Sequence, residues 1–310
     1  TIMANNLLDK SSIILTPTAY NNGEALCVKP SDGSGDFDFS RNSAATRVNA
    51  QGLVENVQIL SSNLVQNGDF SEEGSEEVSN GSFSQEGVQL VTNGDFSNGS
   101  TDWILDSGWS VSDDKALCNG TNLAYITQTA VLTIGKSYKV QFDIVDYTSG
   151  SIKYRDNGFV SGQSFSGVGS YTDYVVAGGG RFRLMSENFT GSIDNVSVRE
   201  VAQNWALGTG WSIGEDKAES DGTASNLDQS GTFLSGKTYK VVYDVLDYVS
   251  GDIRFRFTGT SNENGTLRNS NGTYTEYIKL TNNQEILRFP SSDFIGSITN
   301  ISVKEVGQNW

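Results

Sequence analysis

Gly135-Lys136-Ser137-Tyr138-Lys139-Val140-Gln141-Phe142-Asp143-Ile144 is answered further along by Gly236-Lys237-Thr238-Tyr239-Lys240-Val241-Val242-Tyr243-Asp244-Val245. In the first, Tyr138, Val140, Phe142 and Ile144 alternate with Lys139, Gln141 and Asp143. In the second, Tyr239, Val241, Tyr243 and Val245 alternate with Lys240, Val242 and Asp244. A period of two marks a strand with one face buried and the other mostly wet. Working outward, other landmarks recur in the same order. Gly108-Trp109 returns as Gly210-Trp211, Asp146-Tyr147 as Asp247-Tyr248, and Ile152-Lys153-Tyr154-Arg155 as Ile253-Arg254-Phe255-Arg256. The closing run from Gly191 to Val201 returns as Gly296 to Val306. The offset is 102 residues at Trp109/Trp211 and 105 at Gly191/Gly296. That period far exceeds the roughly 20–50 residues of solenoid and propeller repeats. One module is used twice, and each copy is expected to fold as a domain. In the closing runs, Val196 and Val198 share a parity that Ile193 does not, and Ile298 differs likewise from Ile301 and Val303. This predicts a bulge at Asp194-Asn195 and at Thr299-Asn300. Many short strands predict an all-β chain of tandem antiparallel jelly-roll β-sandwiches.

Composition narrows the function. The net charge is −16, with 21 Lys and Arg against 37 Asp and Glu and no His. Such a surface repels phosphate backbones and anionic headgroups, so neither nucleic acid nor membrane insertion is expected. No stretch approaches the ~18 apolar residues of a membrane span. No basic region followed by an apolar core opens the sequence, so no secretory signal is visible. A surface protein of this kind is expected to be cytosolic or to leave the cell by another route, such as inside a virus particle. Cys27 and Cys118 lie in different segments, and Ser220 stands at the Cys118 place in the second copy. They imply neither a disulfide framework nor a zinc site. Without His, Ser-His and Cys-His catalysis is excluded. Asp and Glu are scattered through turns with no distinguishing pair for glycoside hydrolysis. The chain is not expected to be an enzyme.

Four segments emerge: 1–60, 61–88, 89–202 and 203–310. In the first, Phe37 and Phe39 alternate with Asp36 and Asp38. Thr46-Arg47-Val48 and Leu53-Val54-Glu55 flank Asn49-Ala50-Gln51-Gly52, which suits a short hairpin with Gly at a positive φ. Apolar mass is too small here for independent folding, so an extended segment packed on a partner is expected. Residues 61–88 hold Asn67-Gly68-Asp69-Phe70 and Asn80-Gly81-Ser82-Phe83, reiterated once more as Asn93-Gly94-Asp95-Phe96. The simpler reading is a linker with degenerate strand starts. The other is that the first two units add strands or a bulge to a neighbouring sheet. Gly307-Gln308-Asn309-Trp310 matches Ala202-Gln203-Asn204-Trp205, so either a further module follows or Trp310 finishes the second.

Two stretches carry family resemblances. Residues 39–57, FSRNSAATRVNAQGLVENV, resemble a phrase near the N-termini of tailed-bacteriophage structural proteins, especially fibre and appendage proteins. The resemblance implies a virion-proximal piece ahead of distal domains. It implies a place on the virion surface, other virion proteins as partners of residues 1–60, and a homo-oligomer, a trimer by analogy. The opening Leu90-Val91-Thr92-Asn93-Gly94-Asp95-Phe96-Ser97 and the closing Gly191-Ser192-Ile193-Asp194-Asn195-Val196-Ser197-Val198 resemble carbohydrate-binding modules with a galactose-binding-like jelly-roll fold. That resemblance covers residues 90–306.

The second resemblance implies a structural Ca²⁺ held by Asp95 and Asp194, and no other cofactor. Thr299 replaces Asp194 in the second copy, and Gln203-Asn204-Trp205 stands where the opening motif is expected, so the metal belongs to the first module alone. It also implies cell-surface or environmental glycans as ligands, stacked on aromatic faces and fixed through their hydroxyls. Candidates are Trp103, Trp109, Asp146, Tyr147, Tyr154 and Tyr171 in the first module, and Trp211, Asp247, Tyr248, Tyr274 and Tyr277 in the second. Trp109 and Trp211, at repeated positions, fit core packing. Asp146-Tyr147 and Asp247-Tyr248 stand beside Ser-Gly turns and serve either as sites or as turn chemistry. The expected protein is a bacteriophage fibre or appendage subunit, weak per site and strengthened by many copies. The alternatives are an architectural head-decoration or tail component without ligand, and an accessory chain of a bacterial carbohydrate-active enzyme.

Overall fold

The structure, a computed structural model, describes the strands Ile14–Asn21, Glu24–Lys29, Phe37–Asp38 and Ala45–Val48, then residues 51–57, 67 and 71–308. The chain divides into two compact units, residues 1–66 and 67–310.

In the first unit, Ile14–Asn21, Glu24–Lys29 and Phe37–Asp38 form a three-stranded antiparallel sheet in that order. Ala45–Val48 and Val54–Val57 pair as the expected hairpin, with Val48 opposite Val54 and Gly52 at φ +79°. The Phe39 position lies outside the described residues.

The second unit is all-β in its described residues and holds two separate apolar cores. In the first module, Ser137–Arg155 and Phe182–Val201 run antiparallel along almost their whole length. They join an eight-stranded sheet that wraps one core. Tyr138, Val140, Phe142, Ile144, Ile152 and Tyr154 point into it, as the period-two reading requires. In the second module the same path is broken into a five-stranded and a six-stranded sheet. Tyr239, Val241, Tyr243 and Val245 line its core. The expected bulges are present. Gln141 pairs with Ser197 and Asp143 with Asp194, leaving two residues opposite Phe142. Val242 and Asp244 pair with Ser302 and Thr299 in the same way. Asn195 and Asn300 take the left-handed conformation, at φ +52° and +51°, which Asn tolerates better than most residues. Their amides donate to Asp143 and Asp244, each at 2.7 Å.

The linker reading of 61–88 is overturned over residues 71–88. Glu73–Glu76 is a strand of the second module, paired with Ile295–Val306. Val78 and Phe83 are buried in the second core. Asn80-Gly81-Ser82-Phe83 is therefore the opening motif of the second module, and Gln203-Asn204-Trp205 is not its replacement. The equivalence with the first module is close throughout. Gly81 O accepts from Ile301 N at 3.0 Å, and Gly94 O from Val196 N at 2.9 Å. Trp205 Nε1 donates to Asn80 O at 3.1 Å, and Trp103 Nε1 to Asn93 O at 2.9 Å. Phe83 lies 5.2 Å from Trp205, and Phe96 5.3 Å from Trp103, between ring centroids. Ser79 exchanges two hydrogen bonds with Gln229, and Thr92 two with Gln128.

The first module is thus nested inside the second. An arm comprising residues 71–99 passes along the second module and then the first, and the chain returns through them in reverse order. The second copy does not fold on its own downstream residues alone, because its opening strand precedes the first copy. Local pattern has no access to this, since partners such as Ser82 and Thr299 stand 217 residues apart. Phe70 and Trp310 lie outside the described residues.

Candidate functional site

The bulged closing strand places Ser192 between Leu117 and Asp146 in the first module. Ser192 Oγ donates to Asp146 at 2.5 Å, and Lys115 Nζ lies 3.5 Å from the same carboxylate. The Ser192 hydroxyl first, then the Lys115 charge, holds the Asp146 carboxyl below the usual carboxylate range. The second module repeats the arrangement. Lys217 Nζ donates to Asp247 at 2.6 Å and Ser297 Oγ at 3.1 Å. Here Lys217 is the larger cause, and Asp247 is again held low. Tyr147, next in the chain, is 38% exposed, with its ring 6.4 Å from that of buried Phe189 and its hydroxyl donating to Gly150 O at 3.1 Å. Tyr248 is half-buried against the second core. Each cluster presents an ammonium and a carboxylate at the surface over a buried serine hydroxyl, Ser192 or Ser297, while the Tyr147 and Tyr248 rings lean on the core rings Phe189 and Phe294. A carboxylate and an ammonium side by side can accept from and donate to hydroxyl groups.

The other aromatic candidates do not join them. Trp103 is buried against Phe96 and Phe182. Tyr154 is fully buried, donating to Asp156 at 3.1 Å, and burial pushes its hydroxyl pKa up. Tyr171 packs on Phe142 and Phe165 and donates to Ser166 O and Gly167 O at 2.6 and 2.9 Å. Tyr274 bonds Ser270 O at 2.8 Å beneath the Arg268 guanidinium. These rings serve the core or their own turns, because an aromatic on the inward parity of a strand is drawn there by burial. Trp109 and Trp211 are buried as well, and their indole N–H groups have no partner among the described residues. A groove of about 320 Å³ beside Trp109 is lined by Gly108, Ser110, Leu117, Cys118 and Asn119.

A basic row on the second module escaped the sequence reading of sites. Ile253, Phe255, Phe257, Leu287 and Phe289 are buried, so the alternating Arg254, Arg256 and Arg288 fall on the opposite face. Arg256 is opposite Arg288 in the ladder. Arg288 makes a two-pronged pair with Asp228, at 2.8 and 2.6 Å, while Arg256 donates to Asn264 at 2.7 Å. Burial first, then Arg254 and Arg288, lowers the Arg256 pKa. A cavity of about 320 Å³ is lined here by Arg254, Arg256, Asp252, Asp293, Leu267 and Pro290. The signal was available in the strand period of 253–257.

The metal candidates are less concentrated. No group of three or more Asp, Glu, Cys or His forms a metal cluster among the described residues. Asp95 is exposed, and its carboxylate accepts from Ser97 N and Oγ at 3.2 and 3.0 Å. One observation does fit a hard cation. In the second module the Thr299 hydroxyl donates to Asp216 O at 2.7 Å and Ser82 O at 3.3 Å. The first module places Asp194 there, and an ionised carboxylate cannot donate to carbonyls. By the repeat, the matching carbonyls belong to Asp114 and Asp95. A carboxylate brought up to such carbonyls would make a calcium-type donor set, although the Asp194 Oδ1 accepts from Asn195 N at 2.6 Å.

No family model matches the chain. No curated protein sequence matches it either. Among solved structures, the chain is similar to the N-terminal tandem of CBM22 domains from Paenibacillus barcinonensis Xyn10C. Identity is 10%, covering 71% of this chain and 98% of that one, with a TM-score of 0.28. It is also similar to an allantoicase at 12% identity, covering 61% and 80%, with a TM-score of 0.25. A third likeness is to a chain of Sulfolobus Turreted Icosahedral Virus at 12% identity and a TM-score of 0.22, covering 67% of this chain and 60% of that one.

Proposed function

We propose that the chain is a structural protein of a tailed bacteriophage, with residues 1–60 as its docking segment and its two jelly-roll modules as saccharide-binding surfaces. The observation that carries the binding role is the repeated surface pair, Lys115–Asp146 and Lys217–Asp247, each anchored by a buried serine, Ser192 or Ser297, and followed in the chain by the partly exposed Tyr147 and Tyr248. Neither Lys–Asp pair lies in a core, yet both copies keep it. The ligand is a surface glycan. Asp and Lys fix its hydroxyls, and the tyrosine edge covers part of a ring face. The Arg254–Arg256–Arg288 row suits acidic sugars on the second module. Binding per site is weak, and many copies on a particle strengthen it. Residues 39–57, with their resemblance to phage appendage proteins, support the virion assignment. Asp194 is proposed to hold a structural calcium in the first module.

A glycan array probed with the full chain tests the binding role. Asp146→Ala with Asp247→Ala is expected to weaken the best signal roughly tenfold or more while leaving the fold intact. An intact chain that binds no glycan would favour the architectural role instead. That second reading draws on the placement of Trp103, Tyr154, Tyr171 and Tyr274 in cores and turns. A particle reconstruction with residues 1–60 seated against the virion is the matching test of the docking segment.

A further inference from the structure

In the first module, one polar cluster on the sheet face is closed by the chain's own carboxylate. Glu187 accepts from the Ser151 and Ser164 hydroxyls at 2.9 and 2.7 Å and pairs with the Lys153 ammonium. Strand pairing brings the four together, with Ser151 opposite Glu187 and Lys153 opposite Ser164.

The second module keeps this frame and changes the groups on it. Gly150 and Gly251, at φ +77° and +75°, each press on a backbone carbonyl, of Asn188 and of Asp293. Counting one residue from these fixed points, Asp252 takes the place of Ser151 and Ser292 the place of Glu187. Ile152 lies opposite Phe165, and Ile253 opposite Arg268, so Arg254 matches Lys153 and Leu267 matches Ser164. Asp252, Arg254, Leu267 and Ser292 all line the cavity of about 320 Å³. A filled cluster in one module is thus an open cavity in the other. Ser292 turns its hydroxyl to Asp293, at 3.1 Å. Among the described residues the Arg254 guanidinium has no hydrogen bond or ion pair, whereas Lys153 is paired. Arg256, two residues along on the same face, donates to Asn264 but has no carboxylate partner. Arg288 alone of the three is neutralised, by Asp228. Two arginines without counter-ions therefore stand beside a cavity, in a chain whose net charge is −16.

We propose that this cavity binds a carboxylated sugar of the uronic acid kind, whose carboxylate takes the place that Glu187 fills in the first module. The inference rests on the saccharide-binding reading above and gives its acidic ligand a place apart from the two Lys–Asp pairs. Arg254 and Arg256 donate to the carboxylate, in charge-assisted hydrogen bonds. Asp252 and Asp293, which also line the cavity, accept from ring hydroxyls. Those two carboxylates repel a ligand of higher negative charge, so one carboxylate flanked by hydroxyls suits the site better than a densely charged anion. The volume is at the lower end of the roughly 300–1,000 Å³ of small-ligand pockets, enough for one sugar and not for a long stretch of chain. The first module has no such site, because Glu187 occupies it.

The test is calorimetric titration of the full chain with a galacturonate trisaccharide, and with the same trisaccharide after its carboxyls are reduced to hydroxymethyl groups. The uronate is expected to bind about tenfold tighter or more. Arg254→Gln and Ser292→Glu are each expected to bring it down to the level of the reduced sugar. Ser292→Glu restores the internal carboxylate seen in the first module, and an undiminished melting temperature shows that its fold is intact. Asp146→Ala with Asp247→Ala is expected to leave the difference between the two sugars unchanged. No difference between them overturns the proposal, and so does uronate binding that survives Ser292→Glu. Acetate binding as tightly as the trisaccharide overturns its saccharide part. The two readings fail separately. Loss of all binding in the double aspartate variant, with none in Ser292→Glu, removes this site and keeps the Lys–Asp pairs. Uronate binding that depends on Ser292 and Arg254, in a chain that takes no neutral glycan, keeps this site and removes the pairs.

Discussion

Gly81 and Gly94 are the narrowest points of the two opening motifs. A Cβ at either would overlap a backbone carbonyl oxygen, of Ile301 and of Val196 respectively, and backbone cannot yield as a side-chain tip can. Gly81→Ala is expected to destabilise the second module, and Gly94→Ala the first, by about 2–4 kcal/mol each in denaturant titration. A second expectation concerns acid. Lys153, then Ser164 and Ser151, hold the Glu187 carboxyl below its usual range against opposing burial. A depressed folded value means that Glu187 stabilises the fold fully above its unfolded pKa of about 4.3. That contribution is lost as pH falls through the folded value. Melting of Glu187→Gln measured across this window is expected to show a shallower acid loss than the parent chain. For the proposed calcium, added Ca²⁺ is expected to raise the melting temperature of the first module and EDTA to reverse it. Asp194→Thr, which borrows the residue at 299, is expected to abolish that response.

The strands were legible because burial on one face writes a period of two into the sequence, as from Tyr138 to Ile144 and from Tyr239 to Val245. The bulges were legible too, since an extra residue shifts parity from Ile193 to Val196. Which opening motif served which module was not. Asn80-Gly81-Ser82-Phe83 reads locally like Asn93-Gly94-Asp95-Phe96, and nothing in either names a partner more than a hundred residues downstream. The candidate aromatics failed for a related reason. Composition shows that a ring is present, but only packing decides whether it faces Phe182, as Trp103 does, or solvent, as Tyr277 does. The arm yields its own prediction. Phe83→Ala is expected to cost about 3–5 kcal/mol in the second module, although residue 83 is closer in sequence to the first. Phe96→Ala is expected to act on the first module. Hydrogen exchange resolved by segment separates the two.

At the scale of the whole unit, nesting makes the two modules unequal. The inner one is continuous in sequence, and the outer one is closed only when its last strand meets an arm made long before. The path of mechanical force follows from this. Residue 73 pairs with residue 306 and residue 76 with residue 304, so the chain enters and leaves the outer module at the same end. Tension applied between those two points falls on the rungs of that short ladder one after another, in a peeling geometry. The inner module hangs beyond the last rung as a side branch and feels no pull until its host has opened.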